Sequence, residues 1–237
     1  MFVSIAVVGV TVFIIQRLTH TQTLRIRERT IHLAHAGLNH ALYFFRFRDL
    51  TANGYFSLGQ TNIDVNNFFV LTATPSDLLM VDTSTAALSP NGRELQNLRI
   101  QNATNSQTIT IDRMIVSWVG VPANRRLNRI QINGQTVWTG NLATPADADI
   151  TNFTLNTVPT IYPINHLRFN QSMAGATITV QFVMTDGSTR TLTAFPASNN
   201  YNFTVDSRGE TVGSAIQRTL RADYNANTGR VINYSEL

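Results

Sequence analysis

Two pairs of side chains in this sequence are spaced as metal ligands are. His32 and His35 lie one helical turn apart and could share a metal ion, but no carboxylate or cysteine stands at a matching offset. Asp147 and Asp149 could begin a calcium site, which takes about six or more oxygen ligands, and this segment offers only these carboxylates. We therefore expect packing or interfacial histidines, an ordinary solvated turn at the aspartates, and no metal site.

Other candidate side chains would bind a ligand rather than react with it. Arg125, Arg126 and Arg129 could hold an anion, although a solvated loop is the preferred interpretation. Trp118 and Trp138 could stack on sugars if exposed, but they fall on strand patterns and we expect both in the core. A His-Glu-x-x-His motif, a phosphate loop and a Gly-x-Ser-x-Gly elbow are all missing from the sequence. The sequence thus predicts neither an enzyme nor a cofactor.

Composition and charge set limits on the elements that carry these residues. The chain has 237 residues, 43% of them hydrophobic, and no cysteine, so its core cannot depend on disulfides. All 18 basic residues are arginine; six of them and two acids fall in residues 1–50, whereas the remaining residues hold 12 of each. The net charge of +4 therefore belongs entirely to the first 50 residues. A nucleic-acid-binding head would show a basic excess of its own, and we expect no nucleic-acid partner.

The first 15 residues form an apolar run, and the first charged residue after it is Arg17. This run is somewhat shorter than the ~20 residues of a usual bilayer crossing. Because it has neither a basic flank before it nor a small-x-small cleavage site after it, we expect it to be kept in the working protein. The arginines after the run favour a cytoplasmic head if Met1 is the initiator, and a removed basic leader would reverse that orientation.

Helical periodicity continues beyond the apolar run. Residues 16–50 contain no proline and a single glycine, Gly37. A stripe of apolar residues recurs at steps of three, four and seven, namely Leu24, Ile31, Ala34, Leu38, Leu42 and Phe45. The sequence predicts one long helix over residues 1–50, apolar at first and then amphipathic, as in an anchor that continues into a stalk.

This arrangement, together with the phrase IHLAHAGLNHALY at residues 31–43, resembles type IV pilins and especially proteins of the minor-pilin type. The resemblance covers residues 1–50. It implies cleavage by a prepilin peptidase with Met1 as the processed N-terminus, residence in the inner membrane before assembly, and export by pilus assembly machinery. Two departures stand out: Ile5 replaces the glutamate that most pilins carry there, and Gln22 replaces a common proline.

The resemblance also implies that the helices of many copies form the core of an extracellular filament on the cell surface, a helical homopolymer. Small residues in the run would let neighbouring helices approach closely, and charged residues at its rim would set their registration. The expected assembly interface comprises Met1, Phe2, Ser4, Ile5, Ala6, Val8, Gly9, Val12, Phe13, Arg17, Arg25 and Glu28.

After residue 50 the pattern changes to that of β-structure. Hydrophobic and polar residues alternate in several segments, and Asn133-Gly134 and Asp186-Gly187 are typical of hairpin turns. We predict a connecting segment with short strands at 51–94, a β-sandwich head at 95–195, and a C-terminal hairpin within 196–237 that closes the head. The phrases at residues 98–102 and 108–112 resemble the paired strands of immunoglobulin-like adhesive modules. The fold class expected is α+β, a long helix joined to an antiparallel, immunoglobulin-like sandwich.

Asn-x-Ser/Thr sequons offer possible glycosylation sites on such a head. They occur at Asn102, Asn152, Asn170, Asn202 and Asn233. An asparagine- and threonine-rich chain also produces sequons by chance.

Three functions remain open on the sequence alone. The chain is expected to be a structural subunit of a type IV pilus-like filament. The alternatives are a minor pilin or pseudopilin of a pilus or type II secretion apparatus, and a monomeric membrane-anchored binding protein.

Overall fold

The computed structural model describes residues 2–46, 57–157, 160–198, 201–226 and 228–237, with helix side chains from Phe13 to Tyr43. Helix α1 spans Phe2–Arg46, which confirms the predicted long N-terminal helix. At ~1.5 Å per residue its 45 residues extend about 68 Å. Phe45, the last residue of the predicted stripe, lies outside the described side chains.

Antiparallel strands account for most of the described chain after α1, with one short helix, α2 (Pro75–Leu78), among them. The strands are β1 (Gly59–Asn62), β2 (Asn67–Thr72), β3 (Leu79–Asp82), β4 (Ala87–Leu88), β5 (Glu94–Gln96), β6 (Leu98–Asn102), β7 (Ile109–Val119), β8 (Leu127–Ile132), β9 (Gln135–Leu142), β10 (Ala146–Leu155), β11 (Tyr162–Phe169), β12 (Thr177–Met184), β13 (Thr189–Phe195), β14 (Asn202–Thr211), β15 (Arg218–Asn225) and β16 (Arg230–Glu236).

The helix packs on a five-stranded sheet of order β1-β2-β14-β15-β16, which we call the helix-bearing sheet. Its strands come from both ends of the head, since β2 pairs with β14 across more than 130 residues of sequence. Its three central strands, β2, β14 and β15, bury alternate residues beneath α1, among them Phe69, Leu71, Phe203, Val205, Leu220, Ala222 and Tyr224. The second half of the helix is therefore part of the hydrophobic core rather than a separate stalk.

The sandwich lies between β2 and β14 in the sequence. One of its sheets has the order β10-β7-β12-β13, and the other places β11 between β8 on one side and β5 and β6 on the other. Rings from the two sheets meet edge-on, Trp118 with Phe169 at 5.3 Å between centroids and Phe153 with Tyr162 at 5.4 Å. The predicted α+β class with a β-sandwich head is confirmed.

The predicted hairpins are present. Asn133 and Gly134 both have positive φ, 50° and 77°, in the two-residue turn between β8 and β9. Asp186-Gly187 lies in the turn between β12 and β13. At the C-terminus β15 and β16 pair as the predicted hairpin.

The strands of the predicted connecting segment, residues 51–94, belong partly to the helix-bearing sheet and partly to the sandwich. Its β1 and β2 join the helix-bearing sheet, whereas β3 and β4 pair with β6 and β5 in the sandwich. The interpretation of residues 98–102 and 108–112 as paired strands is wrong, because β6 and β7 lie in different sheets. A register shift in the β12 pairing opposite Asp112 lets both Ile111 and Met114 face the core from β7.

A charged cluster joins the helix-bearing sheet to the sandwich. Arg221 of β15 forms ion pairs with Asp77 of α2 at 2.8 Å and with Asp206 of β14 at 3.3 Å. Burial raises the pKa of Asp206, and the positive charge of Arg221 opposes that shift. The backbone N–H of Ser76 donates to the hydroxyl of Ser188, so α2 contacts both units.

Candidate assembly surface

The environment of helix α1 changes at Thr30. Between residues 13 and 29 nearly every side chain is exposed. Large apolar side chains are among them: Phe13, Ile14, Ile15, Leu18 and Leu24 are each about half exposed, between 48% and 58%. The guanidinium of Arg17 lies 5.0 Å from the centroid of the Phe13 ring, a cation–π contact on the helix surface.

The other half of the helix is seated on strand β14. Its buried stripe consists mainly of small residues, at steps of three and four: Thr30, Leu33, Ala34, Gly37, Leu38 and Ala41. A Cβ on Gly209 of β14 would lie 2.7 Å from the backbone nitrogen of Ala34 and would also meet the carbonyl oxygen of Thr30. A Cβ on Gly37 would meet the Ser207 hydroxyl and lie 2.8 Å from the Phe69 ring. Helix and strand backbones are thus in direct contact.

Polar contacts fix this half of the helix further. The hydroxyl of Tyr224 donates to the carbonyl oxygen of Leu38 at 2.7 Å, and burial raises the pKa of that tyrosine. At the sheet edge the rings of His35 and Tyr234 stack with centroids 5.4 Å apart, and their Nε2 and hydroxyl oxygen are 3.0 Å apart. The helix is therefore held in the head from Thr30 to Tyr43, whereas its side chains from residue 13 to residue 29 are mostly exposed.

The predicted assembly residues all precede Thr30 in the sequence. Phe13, Arg17, Arg25 and Glu28 are exposed on the helix surface. Met1 lies outside the described residues, and of Phe2, Ser4, Ile5, Ala6, Val8, Gly9 and Val12 only the helical backbone is described. Within the part of the chain that is described, no helix is both long and apolar enough to span a membrane.

The candidate metal ligands have other surroundings. His32 is exposed, while His35 contacts Tyr234. Asp147 and Asp149 lie on strand β10 rather than in a turn, and Asp147 pairs with Arg113 at 2.6 Å. Among the described residues, no group of three or more potential ligands could hold a metal ion.

The candidate anion and sugar sites are occupied by contacts within the chain. Arg125 donates to the carbonyl oxygen of Ser172 at 2.9 Å, and Arg126 donates to that of Ala123 at 2.8 Å. The guanidinium of Arg129 donates to His166, whose pKa is lowered mainly by burial. As expected, Trp118 is buried at 4% exposure, whereas Trp138, also expected in the core, is only half-buried against it.

The sequons differ in accessibility. Asn102 is buried and its amide nitrogen donates to the carbonyl oxygens of Gln107 and Asn156, so glycosylation there has no room in this fold. Asn170 uses its amide in contacts with Arg126 and Asn124. The half-buried Asn202 has its side-chain oxygen enclosed. Asn152 and Asn233 are exposed, and these two sites are open to modification.

One surface that the sequence did not predict lies at the base of the head, beside the helix. The turn between β1 and β2 exposes Ile63 and Val65, and Val212 after β14 lies next to it. An open groove of about 640 Å³ separates this turn from α1 and is lined by residues of both, including Ile26 and Leu33. Two apolar residues in a polar turn, Asn-Ile-Asp-Val-Asn, were the only signal in the sequence.

Comparison of the chain with protein-family models, with curated protein sequences and with solved structures finds no match.

Proposed function

We propose that this protein is a structural subunit of a type IV pilus-like filament, assembled by burial of its N-terminal helix among the helices of other copies. The observation that carries the proposal is the exposure of α1 between residues 13 and 29. Five large apolar side chains between residues 13 and 24 are about half exposed in a single copy, on a helix that the head otherwise holds firmly.

Burial supplies the driving force for assembly. Fully covering a large apolar side chain contributes about 1.5–3 kcal/mol, so covering five half-exposed ones contributes roughly 5 kcal/mol per copy before ordering costs. The apolar residues 1–12 would add to this total in a bundle. Registration would depend on shape and on Arg17, Arg25 and Glu28.

The proposal includes the setting of assembly. Before assembly the subunit would reside in the inner membrane and be cleaved by a prepilin peptidase. Pilus assembly machinery would then incorporate it into a filament outside the cell. The head, which has equal numbers of basic and acidic residues, would face solvent. No catalytic role is assigned to it.

Electron microscopy of cells carrying helix variants tests the proposal. We expect Leu18→Asp and Ala6→Asp to abolish filaments, because each places a carboxylate among packed apolar helices. The matched control is Val119→Asp, which changes a residue of similar exposure, 68%, on the sandwich and should leave filaments normal. Normal filaments from the Leu18→Asp strain would refute the helical core.

A further inference from the structure

An exposed apolar patch lies at the base of the head beside α1. It consists of Ile63, Val65 and Val212, which are exposed by 56%, 86% and 60%, and we call it the basal patch. The groove between the patch and the helix is open to solvent and lined by Ile26, Leu33 and Ile63 among others.

The turn that carries the basal patch is fixed by hydrogen bonds. The backbone N–H groups of Ile63 and Asp64 donate to the carbonyl oxygen of Asn67 at 2.8 and 3.1 Å. The Asn67 amide donates to both oxygens of the Asp64 carboxylate, and the N–H of Val212 donates to the carbonyl oxygen of Asn66 at 2.8 Å. The patch is thus preorganised, which lowers the ordering cost of binding.

We propose that the basal patch and its groove dock the exposed helix segment 13–24 of a second copy of this chain. This inference rests on the proposed filament function and names the surface that receives the helix. The segment presents Phe13, Ile14, Ile15, Leu18 and Leu24, and each copy carries both the uncovered helix and the uncovered patch.

The turn side of the groove carries a negative charge that suits this occupant, whereas the helix side carries Arg25, Glu28 and Arg29. Every charged residue between positions 13 and 27 is an arginine, namely Arg17, Arg25 and Arg27. Asp64 offers an exposed carboxylate at the edge of the groove, and hydrogen bonds from Asn66 and Asn67 hold its pKa below the usual value. Among the described residues Asp64 has no cation within salt-bridge distance, and Arg29, which lines the same groove, acts on its charge from farther away. Arg17 of the neighbouring copy is the cation that would complete the pair.

The geometry sets the offset between the two copies. The groove is centred near Arg29 on its own helix, and the docked segment is centred near Leu18 of the neighbour. For parallel helices this difference of 11 positions corresponds to an axial displacement of about 16 Å.

Cross-linking in the cysteine-free chain tests the docking. Val65→Cys is combined in turn with Ile14→Cys, Leu18→Cys or Thr21→Cys, and sheared filaments are treated with a short bismaleimide. Because docked copies hold the two thiols at about millimolar effective concentration, at least one pair should give about tenfold more linked dimer than the control. The control combines the same helix cysteines with Val119→Cys.

A double-mutant cycle provides an independent readout. Arg17→Gln and Asp64→Asn, which keeps an oxygen acceptor for the Asn66 and Asn67 donors, should each reduce filament yield, and the double variant should lose no more than the weaker of the two single variants. Filaments that form normally without Val65 cross-links above the control would overturn the docking and leave the proposed function standing. A cell that exports no filament from the wild-type chain would overturn both.

Discussion

Replacing Gly209 by alanine tests whether α1 is seated directly on strand β14. The added Cβ would lie 2.7 Å from the backbone nitrogen of Ala34 and 2.9 Å from the Cβ of Leu33. Ordinary contact begins at about 3.4 Å, so the helix must retreat by about 0.7 Å or more. The atoms in the way belong mainly to helix backbone, which cannot rotate aside as a side chain can.

The retreat reduces packing along the whole buried stripe. A gap of about 0.5–1 Å forfeits a quarter to a half of the attraction between the facing atoms. Overpacked cores lose about 1–3 kcal/mol, and we expect a value near the upper end here. With a urea dependence of about 3 kcal/mol per molar for a chain of this size, the unfolding midpoint should fall by about 1 M.

The assay is urea unfolding of the full chain in mild detergent, with circular dichroism at a helix-sensitive wavelength. Fluorescence of Trp118 and Trp138 reports the sandwich in the same sample and should shift less. Gly140→Ala is the matched control, because the three atoms nearest to its added Cβ all belong to the side-chain ring of Trp138 rather than to backbone; it is followed by circular dichroism alone, since Trp138 is one of the fluorescent residues. An unchanged helix midpoint in Gly209→Ala would show that the helix does not rest on this strand.

The remaining predictions concern the free energy of unfolding of the same chain. Tyr224→Phe should lower it by about 1 kcal/mol, because the hydroxyl that donates to the Leu38 carbonyl oxygen is lost. Ser207→Ala should raise it by up to about 1 kcal/mol, since this buried hydroxyl has no hydrogen-bond partner among the described residues. Asp206→Asn should raise the free energy of unfolding at neutral pH. Burial raises the pKa of Asp206 in the folded state, so the wild-type protein loses stability as the pH rises from the unfolded-state pKa of this carboxyl through its folded-state pKa. Arg221 keeps Asp77 as a partner.

Urea titrations measure these three changes, and each has an outcome that contradicts it. If Tyr224→Phe is as stable as the wild type, the hydrogen bond from the Tyr224 hydroxyl to the Leu38 carbonyl oxygen contributes nothing to the free energy of unfolding. A loss of stability in Ser207→Ala would reveal a hydrogen bond to that oxygen. If Asp206→Asn has the same pH dependence as the wild type from about pH 4 to about pH 7, the burial of that carboxylate has no thermodynamic effect.

Local signals in the sequence predicted the elements well. The long helix follows from the absence of proline and the regular stripe, and the hairpin at Asn133-Gly134 follows from residues that accept positive φ. Alternation located the buried side chains of β7 and β15. These features depend on neighbours within a few residues, which a sequence displays directly.

Pairing between distant segments was not predictable in the same way. Nothing near Phe69 indicates that β2 lies beside β14, because that contact is set by the sandwich inserted between them. The close contact of Gly209 with the helix was also not predictable. A glycine within a strand is expected to weaken it, and the reason for this one is clear only when the helix backbone beside it is known. The basal patch was missed for a related reason: Val65 in a turn shows its exposure only in three dimensions.

The division of α1 at Thr30 has a consequence for any assembly of this chain. The helix is continuous through Gln22, where many pilins have proline, and it is clamped in the head from Thr30 by Gly209 and Tyr224. The exposed segment and the basal patch of one copy are therefore held at a fixed height and a fixed angle to each other. A repeated contact between copies requires such a fixed relation, because variable angles would not add up to one helical symmetry. In the proposed filament, the same glycine contact that stabilises the head would determine how accurately one copy is placed on the next.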